Sequence, residues 1–149
     1  MNTETTENLS LEIRRTFPVS PERLFSAWTD PEEAKHWFGP EECRPRDFQM
    51  DARVGGKYLI SIDRDGELLQ VAGEFQEVVC PSRLVYTWRW LNDPDWEGID
   101  SIVTVEFTEQ AGGTELHLTH ERFPSAESRT NHESGWSATL ENLGRYLTR

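Results

Sequence analysis

A chain of 149 residues, 36% hydrophobic and 28% charged, is long enough to bury one core without disulfide staples. Its net charge of −12 comes from 27 acids against 15 basic residues scattered singly, which leaves no basic face for nucleic acid or an anionic membrane. No apolar run approaches the roughly 18 residues of a membrane span, so a single soluble domain over residues 9–149 is expected.

Residues 1–8, M-N-T-E-T-T-E-N, read as a disordered tail. They are polar and acidic, the opposite of a secretory signal, which makes the cytoplasm the default compartment. Leu9–Phe17 alternates Leu11, Ile13 and Phe17 against Glu12, Arg14 and Thr16, a strand pattern. Two helix starts follow. Ser20-Pro21 is an N-cap with proline at the first helical position, and Asp30-Pro31 repeats it, with Glu33 placed to close a capping box. About nine residues fit the first helix and about eight the second before Gly39-Pro40 stops the run. Helices that short need tertiary packing, so the pair must brace something larger.

Six strands are then separated by turn signals: Arg46–Asp51, Lys57–Asp63, Leu68–Val79, Arg83–Leu91, Ser101–Thr108 and Thr114–Arg122. Short connections, among them the Asp65-Gly66 hairpin signal, make them an antiparallel meander. A polar loop, Asn92 to Asp100, interrupts it. Leu84, Tyr86, Trp88 and Trp90 share one strand face, as do Val103, Val105 and Phe107, and Leu116 and Leu118. Such alternation predicts a sheet covered on one side only. The cover is the last element, a helix capped by Ser125 and running to about Leu147. Trp136, Leu140, Leu143 and Leu147 form its apolar stripe, which extends back to His132 and Arg129.

Chemistry is sparse in this pattern. His117 and His120 point to opposite faces of a strand, His36 has no partner at ligand spacing, and His132-Glu133 does not complete a zinc-protease motif, so no metal site is expected. Ser134-Gly135-Trp136 is no nucleophile elbow, and Ser61 and Ser101 have no histidine or acid at legible spacing. Asp47 faces water if Phe48 and Met50 face inward. Cys43 and Cys80 are expected as free thiols. His120, His132 and Arg15 do share the inward parity. They read either as core polar groups satisfied by backbone, Glu121 or Glu133, or as groups orienting the polar end of a ligand. Trp96, in D-P-D-W-E-G-I-D, reads either as an anchor folded onto the sheet or as a lid.

The order of elements, with S-P-E-R-L-F-S-A-W-T-D-P-E-E-A-K-H-W-F-G-P at the front and H-E-S-G-W-S-A-T-L-E-N-L-G-R-Y-L at the end, resembles the Hsp90-ATPase-activator-homologue-like (AHSA1-like) proteins of the START/Bet v 1-like, or SRPBCC, superfamily. Val54-Gly55-Gly56, the Pro81–Trp88 strand entry and Leu118-Thr119-His120 are also similar, and the resemblance covers roughly residues 9 to 148. It implies an α+β helix-grip fold: a curved antiparallel sheet of about seven strands around the long C-terminal helix, with two short helices after the first strand. It also implies an internal cavity that holds apolar ligands in many relatives. The separate N-terminal domain with which the co-chaperone relatives engage their chaperone has no room here, so a chaperone partner is not favoured. Relatives often form dimers.

Face parity together with that cavity predicts a lining of Phe25, Trp28, Phe48, Tyr58, Ile60, Phe75, Tyr86, Trp88, Val105, Leu118, Trp136 and Leu140. His120, His132 and Arg15 are the candidate polar contacts and Trp96 the candidate lid. The leading expectation is a binder of a small hydrophobic or aromatic molecule, with no cofactor and no catalytic residue assigned. Two alternatives stand beside it. A protein-interaction module, such as a chaperone ATPase modulator, would expose an apolar patch around Trp96 or Trp37-Phe38. A cavity cyclase or hydrolase would pair His120 or His132 with a carboxylate.

Overall fold

The computed structural model describes residues 9–39 and 43–148, the side chains of 43–46 excepted. The tail expected at 1–8, the helix stop at Pro40 and the thiol of Cys43 lie outside the described residues; Cys80 is a free, exposed thiol.

Strand β1 (Ser10–Phe17) leads into helices α1 (Pro21–Thr29) and α2 (Pro31–Ala34). Six strands follow, β2 (Cys43–Met50), β3 (Lys57–Arg64), β4 (Glu67–Val79), β5 (Arg83–Trp90), β6 (Ser101–Gln110) and β7 (Gly113–Glu121), and then helix α3 (Ala126–Leu147). All seven strands form one antiparallel sheet in the order β1-β7-β6-β5-β4-β3-β2. The chain therefore runs as a meander from β2 to β7, and β1 closes on the far side of β7.

The caps are where the sequence puts them. Ser20 Oγ accepts from the Arg23 amide at 3.1 Å, and Ser125 Oγ accepts from the Ser128 amide at 3.1 Å. The capping box expected from Asp30 and Glu33 does not form. The Asp30 amide is already committed to the carbonyl of Ser26, closing the end of α1, and Asp30 instead accepts from the Glu32 amide at 2.9 Å. Glu33 is released for a different task. It accepts from Arg23 at 2.6 Å, Ser26 at 3.0 Å and Tyr146 at 2.7 Å, tying α1, α2 and α3 together. Helix α2 is also shorter than expected. Its last turn tightens, with His36 and Trp37 amides bonding three residues back, and this swings Trp37 inward to donate to the Ala27 carbonyl at 3.1 Å.

Two irregularities bend the sheet, between Pro45 and Asp47 and between Phe75 and Glu77. Gly73 permits the close approach of β4, β5 and Tyr58. A Cβ there would lie 1.9 Å from the Thr87 carbonyl oxygen and 2.7 Å from the Tyr58 ring. The β3–β4 hairpin turns at Asp65 and Gly66, both at positive φ (53° and 85°), the pair of values a two-residue turn of the primed type demands.

The inner sheet face, α1 and the stripe of α3 enclose the core. The outer face carries charge instead: Arg83 bridges Glu77 at 3.0 Å and Glu106 at 2.6 Å, and Arg14 reaches Glu115 at 3.4 Å. Exposed pairs of this kind contribute little to stability. No helix among the described residues is long and apolar enough to cross a membrane.

Candidate functional site: an aromatic cavity at one end of the grip

The centre of the fold is packed shut by rings. Trp28 stacks on Trp136 at 6.2 Å and lies 4.9 Å from Trp37, while Tyr58, Phe75 and Tyr86 contact one another at 5.4–5.8 Å. Buried aromatics each remove roughly 150–250 Å² from water, and here they consume the space a ligand would need. What remains among them is a void of about 20 Å³ lined by Trp28, Phe48, Tyr58, Ile60, Phe75, Tyr86 and Trp88, room for a single water at most.

Space opens instead at one end. A cavity of about 490 Å³ lies between the ends of β3, β4 and β5, the turn after β5 and the N-terminal half of α3. That volume is in the usual range for small-molecule sites. Its deep wall is made of Trp88, Trp90, Trp96 and Trp136; Ile62, Leu69 and Phe38 complete the apolar surface. Trp88, His132 and Trp136 of the residues predicted from parity are on this wall, together with Trp96. Phe25, Val105, Leu118, His120 and Leu140 are buried in the core and line neither space. Arg15 is displaced further: it sits on β1, beside the C-terminal half of α3, 3.8 Å from Glu141.

The turn that carries Trp96 repeats the helix-start pattern for a third time. Asp93 accepts from the Asp95 amide at 3.0 Å, Pro94 opens a one-turn 3-10 helix (Pro94–Trp96), and Trp96 is driven inward to 2% exposure against Phe123 and His132. Asp93-Pro94 is the signal in the sequence that marks this turn. With Trp96 and Trp37 each 2% exposed, neither presents the surface patch expected of an interaction module.

The two inward histidines are neighbours, with ring centroids 5.4 Å apart. Nε2 of His132 receives the indole N–H of Trp90 at 2.8 Å and that of Trp88 at 3.3 Å. Its Nδ1 lies 2.8 Å from the Ser128 carbonyl. An indole only donates and a carbonyl only accepts, so this imidazole is neutral with its proton on Nδ1. In His120 the arrangement is reversed. Nδ1 accepts from Trp136 at 3.0 Å, which places the proton on Nε2, and Nε2 donates to Ser101 Oγ at 2.8 Å. Ser101 in turn donates to the Trp88 carbonyl at 2.7 Å. Burial pushes both imidazoles below the ordinary histidine value, His120 far below it with a further push from His132; for His132 the bond to the Ser128 carbonyl opposes the shift.

Every ring nitrogen of the two is thus engaged, and among the described residues neither histidine is bonded to a carboxylate, Glu121 and Glu133 included. Ser101, which showed no partner at legible spacing, does meet a histidine, through the strand register that sets Val103 opposite His120. The pair is wired against nucleophilic chemistry. A serine is activated when it donates to an unprotonated ring nitrogen, whereas Ser101 accepts from His120. Among the described residues no group of His, Cys, Asp and Glu could hold a metal ion.

With this geometry in place, the family model described as Activator of Hsp90 ATPase homolog 1-like protein matches residues 18–148. The chain belongs to that family. Solved structures agree. A protein from Chromobacterium violaceum is 28% identical with a TM-score of 0.82, covering 91% of this chain and 95% of its own. The AHSA1 protein from Silicibacter pomeroyi is 28% identical with a TM-score of 0.82, covering 93% and 97%. CalU16 from Micromonospora echinospora is 27% identical with a TM-score of 0.69, covering 92% and 74%. Among curated proteins there is no significant match. The AHSA1-like, START-type helix grip, with a cavity between sheet and C-terminal helix, is the family's architecture in this chain; its ligand is a separate question, because this fold serves many functions.

Proposed function

We propose that this AHSA1-like chain binds a small, flat, hydrophobic or aromatic molecule in the cavity between the ends of β3–β5, the 92–96 turn and α3, with Trp96 anchored as part of its wall. The observation that carries the reading is Gly135. It lies in the interior of α3, where glycine costs about 1 kcal/mol relative to alanine, and it lines the cavity. Apart from its own turn of helix and its chain neighbours, no atom of the described residues lies within 4 Å of the position its Cβ would take, so packing does not require a glycine here. Its missing side chain serves to keep the cavity open.

Gly135→Leu tests this directly. The substitution fills empty space and improves helix propensity, so the variant is expected to melt at a higher temperature than the parent. It should also lose binding of aromatic probes such as 2-naphthylmethanol, measured by calorimetry. For the parent, a probe at a hundred times its Kd should stabilise the fold by about 2.7 kcal/mol. Undiminished probe binding by a folded Gly135→Leu would remove the cavity from the account.

A further inference from the structure

We infer that the ligand carries a basic nitrogen, a protonated amine or quaternary ammonium on an otherwise flat apolar body; this rests on the cavity reading above. The mouth of the cavity is lined by four carboxylates, Glu67, Asp93, Asp95 and Glu127, against one guanidinium, Arg64. Arg64 stands opposite Glu67 in the β3–β4 register, so one cation among the lining residues faces four acids, an excess of three negative charges. Among the described residues, none of Glu67, Asp93, Asp95 and Glu127 is held in a salt bridge.

Three of the four indoles of the wall below the rim spend their N–H groups inside the protein. The N–H groups of Trp88, Trp90 and Trp136 are turned away onto His132 and His120, and the one N–H of His132 is given to Ser128. An anion entering the cavity finds no donor from these three indoles or from His132 and meets the carboxylates as like charges, while Asn92, Ser125, Ser128 and Asn131 serve polar groups of either sign. A cation finds indole π surface, which attracts positive charge, beneath a rim of opposite sign. The chain's net charge of −12 adds long-range attraction for cations.

Three probes of matched shape separate the terms: 2-naphthylmethylammonium, 2-naphthylmethanol and 2-naphthoate, titrated calorimetrically into the intact chain at low and at 200 mM salt. The ammonium is expected to bind about tenfold tighter than the alcohol at low salt, a difference of about 1.4 kcal/mol, with naphthoate weakest. The preference should shrink at 200 mM salt, where exposed charges are screened beyond roughly 7 Å. The double variant Glu67→Gln, Glu127→Gln, both at exposed positions, should lose most of the ammonium's advantage over the alcohol when both probes are titrated into that same variant. Equal binding of all three probes overturns the charge inference and leaves the cavity reading standing. Binding by none of them overturns both. An ammonium preference undiminished in the double variant would show that the rim is not its source.

Discussion

His120 and His132 are the residues whose chemistry is least like that of free side chains, and they give the protein a specific response to acid. Each imidazole is held neutral by burial, and its acceptor nitrogen faces indole N–H donors, so protonation would set N–H against N–H. In the unfolded chain both titrate near 6.5. With the folded values depressed, the unfolded state binds more protons. The contribution of these groups is therefore complete above about pH 6.5 and is lost as pH falls from there through the folded values. The slope is about 1.4 kcal/mol per pH unit for each histidine. Glu33 behaves in the same sense at lower pH: burial raises its carboxyl, but hydrogen bonds from Tyr146, Arg23 and Ser26 outweigh that and hold it below the ordinary value. Between pH 6 and 5 the histidines dominate. Urea unfolding at pH 7.5, 6 and 5 should show stability level at the top and dropping steeply across the lower interval, with a shallower drop in His132→Gln. A flat profile down to pH 5 would mean that these imidazoles are not held neutral.

At the scale of elements, the strand and helix order was legible because period-two alternation and Ser/Asp-Pro starts are local signals. Ser101–Gln110 and Arg83–Trp90 differ from their predicted ranges only at the C-terminal end. Parity says which side a residue faces and nothing about how tightly that side is packed. That is why Tyr58, Phe75 and Tyr86 read as cavity wall and prove to be mutual packing partners, and why the open space near Gly135 went unseen. The Asp30–Glu33 box failed for a related reason: the pattern cannot show that the Asp30 amide is already used by the preceding helix. The close approach of β4 to β5 and Tyr58 is a further non-local feature. It depends on Gly73, and Gly73→Ala forces a methyl against the Thr87 carbonyl and the Tyr58 ring. We expect a loss of about 3 kcal/mol or more, since backbone has to move; unfolding midpoints equal to those of the parent would show that the sheet can give at this point.

For the whole molecule, the distribution of aromatic rings decides where space remains for the proposed ligand. They close the middle of the helix grip, brace it through Trp28 and Trp37 on the short-helix side, and leave it open where Trp88, Trp90, Trp96 and Trp136 surround the end of the sheet. The two short helices that stood out in the sequence close the packed side of the grip, and the open side is bounded by the Asp93-Pro94 turn, which anchors Trp96 in the wall. The indole N–H resonances of the six tryptophans offer the most direct test, because the cavity divides them. On titration with 2-naphthylmethanol, the ¹H–¹⁵N signals of Trp88, Trp90, Trp96 and Trp136 should shift together and saturably while that of Trp37 stays fixed. Saturable binding that moves Trp37 and Trp28 and leaves those four unmoved would place the ligand at the plugged end and contradict the account.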